Sequence, residues 1–210
     1  MPKIVAALVL WLALAWPAAA QENERPGAFD YYVLALSWSP QFCASHGGEA
    51  QCAQSFGFVV HGLWPENNDG SWPDSCRPAA TVPARTADRV RPFMPSQRLI
   101  DHEWARHGTC SGLAMDDYFD ALGQAFRKVQ IPQPLRAPRQ RLALSVERLK
   151  QLFAEANPGL AANMLAADCA GGPMLAELRV CLDKSLAFRP CGGGLDDSCK
   201  GRELRITPIN

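Results

Sequence analysis

The chain has 210 residues, with 21 Lys+Arg against 21 Asp+Glu, four His and eight Cys. That length fits one ordinary domain, and an apolar content of 48% argues against disordered and low-complexity classes. A net charge of zero argues against a protein that holds nucleic acid by a bulk positive field, though not against a local cationic pocket.

The N-terminus reads as an export signal. Lys3 is the first charge and Glu22 the next; Ile4 to Trp16 is uninterrupted apolar sequence, and Pro17-Ala18-Ala19-Ala20 presents an A-x-A cleavage pattern. A charge, a short apolar stretch and small residues make residues 1–20 a signal peptide, short of the roughly 20 apolar residues of a bilayer span. The working chain, 21–210, then starts near Gln21; losing Lys3 leaves 20 positive against 21 negative charges, a net of −1. Cys43, Cys52, Cys76, Cys110, Cys169, Cys181, Cys191 and Cys199 all follow the cleavage site. In an oxidising compartment they can close four bridges. No C-x-x-C pair of the zinc-site kind is present, and spacing alone leaves the pairing open.

Phe29–Trp38, aromatic and branched, predicts a buried strand, and Phe56–Leu63 a second. Residues 77–96, rich in Pro and Arg, predict a surface loop. A helix is expected from Ser96 through Trp104 to about His107. Another is expected over Asp116–Val129, where Tyr118, Leu122, Ala125, Phe126 and Val129 share a face, with Pro132 and Pro134 beyond its end. Ser145–Ala156 predicts a third, ended by Asn157-Pro158-Gly159, and a short helix is expected near Leu160–Ala166. Leu175–Leu182 alternates like a strand; Leu186–Phe188 and Leu204–Ile206 are short strand candidates. Arg136–Arg141 reads as a solvated basic loop. Strands and helices mix without β-α-β alternation, so one α+β domain is expected.

The His residues concentrate the chemistry. HGLWP, His61 to Pro65, follows the second apolar run. HEWARHGTC, His102 to Cys110, packs His102, Glu103, Arg106 and His107 together. At about 100° per residue, Arg106 lies roughly 40° from His102 and His107 roughly 140° away, with Glu103 between. The expectation is one polar face, with Trp104 and Ala105 on the other. The H-E-x-x-x-H spacing is one residue longer than that of zinc proteases, and Arg106 would repel a cation, so no metal is expected. No G-x-S-x-G nucleophile turn occurs. Two imidazoles beside a cation are instead the parts needed to cleave RNA through its own 2′-OH. DNA, lacking that hydroxyl, is not a substrate on this reading, and no cofactor is needed.

FVVHGLWP and HEWARHGTC, in this order, resemble the two active-site segments of the secreted ribonuclease T2 family. YYVLALSWSPQFC, ELRVCLDKSLAFRPC and the Cys order extend the resemblance along the chain. It implies an α+β fold with a central antiparallel sheet flanked by helices and stapled by disulfides. The implied reaction is transesterification of single-stranded RNA to 2′,3′-cyclic phosphate ends, then slower or absent hydrolysis to the 3′-phosphate, with low base specificity. His61 matches the general acid, His107 the general base, Glu103 a transition-state stabiliser and His102 a phosphate ligand. Arg106 stands where the family usually has Lys. Trp64 matches a base-stacking aromatic; Glu66 and Trp72 fall where some members complete the base pocket, Trp72 alternatively being a loop anchor. The implied disulfides are Cys43–Cys52, Cys76–Cys110, and Cys169–Cys199 around Cys181–Cys191. The expected protein is an exported, periplasmic or secreted monomer that acts on RNA and leaves the membrane after signal cleavage. The alternative is a non-catalytic RNA- or protein-binding member of the same fold.

Overall fold

The computed structural model describes residues 25–199 and 203–209. The export signal lies outside the described residues. In chain order the elements are β1 (Tyr31–Trp38), α1 (Ser39–Cys43), β2 (Phe58–Glu66), α2 (Ala84–Val90), α3 (Gln97–Arg106), α4 (Met115–Lys128), α5 (Gln133–Arg136), β3 (Leu142–Leu144), α6 (Val146–Ala156), β4 (Leu165–Cys169), β5 (Leu175–Leu182) and β6 (Leu204–Ile206). Among the described residues, no helix is long and apolar enough to cross a membrane.

Four strands form an antiparallel sheet in the order β2-β1-β5-β4, and β3 pairs with β6 in a small second sheet. The fold is thus α+β, as expected. On one face of the main sheet Leu34, Leu36 and Trp38 of β1 and Leu178 and Val180 of β5 are fully buried with Tyr118 and Leu122 of α4 and Phe153 of α6. Helix α4 carries Asp116 and Asp117 in its first turn and Arg127 and Lys128 in its last, signs that complement the helix dipole. The side-chain oxygens of Ser96 and Ser145 accept from Leu99 N and Arg148 N, capping α3 and α6.

Three expectations are corrected. Residues 77–96 hold α2, because Thr86, Ala87 and Val90 bury one face although Pro83 and Arg dominate the composition. The segment near Leu160–Ala166 makes only a 3-10 turn, Ala162–Met164, before Leu165 enters β4, where pairing with β5 overrides the helix-forming composition. Leu186–Phe188 forms no strand; Phe188 makes a single bridge to Leu182. The four disulfides are Cys43–Cys52, Cys76–Cys110, Cys169–Cys199 and Cys181–Cys191, the pattern the resemblance implied.

Candidate active site

The site lies across the other face of the sheet. Register places Gly62 of β2, Ala35 of β1 and Arg179 of β5 in one row, and Trp64, Val33 and Cys181 in a neighbouring row. The pairing slips between Ala35 and Leu36: Ala35 faces Gly62, but Leu36 faces Val60. His61 is therefore the extra residue of a β-bulge. A bulge breaks the alternation of side chains and re-aims one of them. Here it frees the His61 ring from the core pattern that buries Val59 and Val60.

Helix α3 supplies the second set. Glu103 and Trp104 are buried, whereas His102 and Arg106 are exposed. The expected single polar face is thus split: Glu103 turns inward beneath β2. Gly62 makes that possible. A Cβ there would overlap the Glu103 carboxylate and the Trp64 indole nitrogen. Into this space Trp64 Nε1 donates to Glu103 Oε2 at 2.7 Å. The helix closes at Arg106, and His107 leaves it with φ −113°, followed by the turn Gly108–Cys110. Gly108 likewise has no room for a side chain against Trp104. The Cys76–Cys110 bridge ties this turn to the segment carrying Asp74, whose carboxylate pairs with Arg106.

The two imidazoles flank Trp64. Ring centroids are 5.1 Å apart for His61–Trp64 and 5.4 Å for Trp64–His107. Their electrostatics are opposite. Burial depresses the His61 pKa, but a hydrogen bond to Glu177, its charge and that of Glu103 more than offset this, so the value is raised. Burial pulls His107 down to about 4; Asp74 opposes this, and the positive charges of Arg106, His61 and His102 add to it. His107 Nδ1 is buried without a hydrogen-bond partner among the described residues. An imidazolium has two N–H donors to satisfy, so a sealed nitrogen favours the neutral ring. Burial raises Glu103 to about 7 against the pull of His61 and Trp64. The His102 value is lowered by partial burial and by Arg106 and His61.

Beside the imidazoles is a cleft of about 290 Å³ lined by Trp64, Glu66, Trp72, His107, Arg179 and the backbone near Gly193. Glu66 and Trp72 therefore share one cavity with Trp64. Trp72 is 54% exposed, so it is not buried as a loop anchor would be. Burial raises Glu66 to about 7, although Arg179 opposes the shift. The fourth histidine, His46, stacks on Phe42 with centroids 4.3 Å apart. Sequence reasoning missed Glu177, Arg179 and Asp74. The first two stand two residues apart on β5, the only charged positions in LAELRVCL.

The model of the ribonuclease T2 family matches residues 29–191. The chain belongs to that family. Residues 61–66 and 102–110 of this family member fall within the matched span. It is 41% identical over 133 residues to a ribonuclease of Aeromonas hydrophila, covering 63% of this chain and 61% of the relative. It is 32% identical over 182 residues to a probable ribonuclease of Haemophilus influenzae, covering 77% and 61%. The chain thus spans about three fifths of each bacterial relative. Among solved structures it is similar to RNase NT in complex with 5′-AMP, with a TM-score of 0.68, 21% identity and coverage of 86% and 98%. That likeness supports the fold.

Proposed function

We propose that this protein is an exported, metal-independent endoribonuclease that cleaves single-stranded RNA by transesterification. The observation that carries the reading is the pair of imidazoles flanking Trp64, one with its pKa raised and the other lowered to about 4. Between those values His107 is neutral and His61 protonated, the combination an acid–base pair needs. His107 removes the proton of the 2′-OH. The 2′-oxygen attacks phosphorus, the P–O5′ bond breaks, and His61 gives its proton to the departing 5′-oxygen. A 2′,3′-cyclic phosphate and a free 5′-OH result. Hydrolysis to the 3′-phosphate follows slowly or not at all.

Glu103, with a value of about 7, is partly protonated at neutral pH and can donate to the phosphorane oxygen. Exposed His102 and Arg106 contact phosphate, Arg106 exchanging its Asp74 partner for the substrate. Trp64, Trp72 and Glu66 hold a base in the cleft. Stacking tolerates any base, which fits low specificity. RNase NT, of the same fold, forms a complex with 5′-AMP, a ligand of the class this reading assigns to the chain. The reaction draws on no cofactor. Four disulfides fit an oxidising compartment, periplasmic or extracellular, reached through signal residues 1–20. The protein works as a monomer, off the membrane, on RNA rather than DNA.

The test is incubation with a dinucleotide panel, with and without EDTA, and product identification. Cyclic-phosphate ends from RNA, none from DNA, and indifference to EDTA are expected. His61→Ala or His107→Ala protein with full activity overturns the mechanism. A folded protein that yields no cyclic product at any pH between about 4 and 8, the range bracketing the His titration, points to the non-catalytic alternative.

A further inference from the structure

The reaction above leaves one buried carboxylate unused. Glu177 lies on β5 opposite Ser37 of β1 and is 5% exposed. Its Oε2 stands 2.7 Å from His61 Nδ1, and its Oε1 accepts from Arg179 Nε at 2.8 Å. Ser37 Oγ approaches Oε2 at 3.5 Å. A carboxylate is acceptor-only when ionised, so the contact requires a proton on His61 Nδ1 whichever charge the ring carries. Nε2 is then the nitrogen that gains and loses the exchangeable proton. It stands 3.6 Å from Glu103 Oε1 and is the nitrogen left for substrate.

We propose that Glu177 is the positioning residue of His61, itself held by Arg179, so that the chain Arg179–Glu177–His61 fixes the tautomer and presents a proton-bearing Nε2 to the leaving 5′-oxygen. This rests on the reading of His61 as general acid. The same logic holds in hydrolase triads, where a buried carboxylate orients the imidazole without itself contacting substrate. It also explains why the carboxylate is tolerated inside the protein. Burial pushes the Glu177 pKa up, and His61 and Arg179 together more than reverse this, so it stays ionised. The charged and titratable groups facing His61 are Glu177 and Arg179 from β5, Glu103 and His102 from α3, and His107 beyond it, with His46 and Asp168 lining one cavity beside it and Glu49 and Arg98 another. Among them Glu177 hydrogen-bonds the ring.

The experiment compares wild type, Glu177→Gln, Glu177→Asp and His61→Ala. It measures dinucleotide cleavage against pH and the 15N shifts of the His61 ring by NMR. Gln keeps the shape and removes the charge. The descending limb of the pH profile, and the NMR titration of His61, should move to lower pH by about one unit or more. Asp should return the limb toward its original place. A merely structural carboxylate would lower activity equally at every pH and leave the limb where it is; that result overturns the proposal. So does an Nε2–H tautomer of neutral His61 in the wild type, a measurement that needs no variant to fold. Full activity in His61→Ala sinks the general-acid reading itself; an inactive His61→Ala beside an unmoved Glu177→Gln limb sinks only the role of Glu177.

Discussion

Gly62→Ala adds a single methyl group, yet it should disable the protein. The new Cβ would overlap Glu103 Oε2 and Trp64 Nε1, the two atoms that share the 2.7 Å hydrogen bond. Neither group can swing away freely: Glu103 is 1% exposed, and the Trp64 ring is held between His61 and His107. Overpacking a tight site costs about 1–3 kcal/mol. Losing a hydrogen bond to a charged or partly charged group costs about 1.5–3 kcal/mol. These terms overlap, and a combined loss of about 3 kcal/mol corresponds to a fall in Tm of roughly 6–12 °C for a domain of this size. Displacing Glu103 and both imidazoles by even 1 Å should cost roughly 100-fold in kcat/KM. Calorimetry and dinucleotide kinetics measure both quantities. Gly48→Ala is the control, since a Cβ there meets nothing within 4 Å. If Gly62→Ala matches wild type in Tm and kcat/KM, the packing of Glu103 under β2 is not what organises the site.

Three further outcomes are expected. The kcat/KM profile should be bell-shaped, rising as His107 deprotonates through about 4 and falling as pH climbs through the raised value of His61, above 6.5; dinucleotide kinetics from acid to alkaline pH would contradict this by showing one limb only. Replacing Cys76 and Cys110 together by Ser should remove about 2–4 kcal/mol of stability and lower activity more than the equivalent change at Cys43 and Cys52, because the first bridge anchors the turn after His107; denaturant unfolding and kinetics on both double variants compare them. Trp72→Ala should raise KM with little change in Tm, since the side chain is 54% exposed and lines the cleft; an unchanged KM for every dinucleotide removes Trp72 from the base pocket.

Much of the fold was legible because its signals are local. The alternation of Leu175–Leu182 and the helical spacing of Tyr118, Leu122 and Ala125 each state a period and a buried face. What escaped depends on contacts between distant segments. β4 is a strand because β5 offers it an edge, and α2 folds because Ala87 and Val90 find the core. The site divides the same way. His61, His102, Glu103 and His107 stand in two compact segments, and the chain's resemblance to known ribonucleases named them. Their division into buried and exposed groups did not follow from an ideal helical wheel, because the vacancy that receives Glu103 is made by Gly62 on another element. Glu177 and Arg179 did leave a signal: two opposite charges two residues apart on an otherwise apolar strand share the face opposite the core. Only the pairing of β5 with β1 shows that this face is where His61 emerges.

The sheet explains how one chain of zero net charge sets two identical side chains to opposite proton affinities. A regular strand could not hold His61 as it stands, because strict alternation on β2 would commit successive residues to the core or away from it. The bulge at Ala35/Leu36 breaks the period on β2, while β5 keeps it from Glu177 to Leu182, where it faces β1. The freed imidazole therefore lands beside the carboxylates Glu177 and Glu103. His107 emerges instead where α3 ends, where burial, which seals its Nδ1, outweighs the nearby Asp74 and is reinforced by Arg106 and His102. Carboxylates around one ring and burial of the other need no surplus of either sign in the whole protein. They require only that a strand and a helix end approach Trp64 from different electrostatic surroundings. A uniform basic surface would depress both imidazoles together and erase the difference on which acid–base cleavage depends.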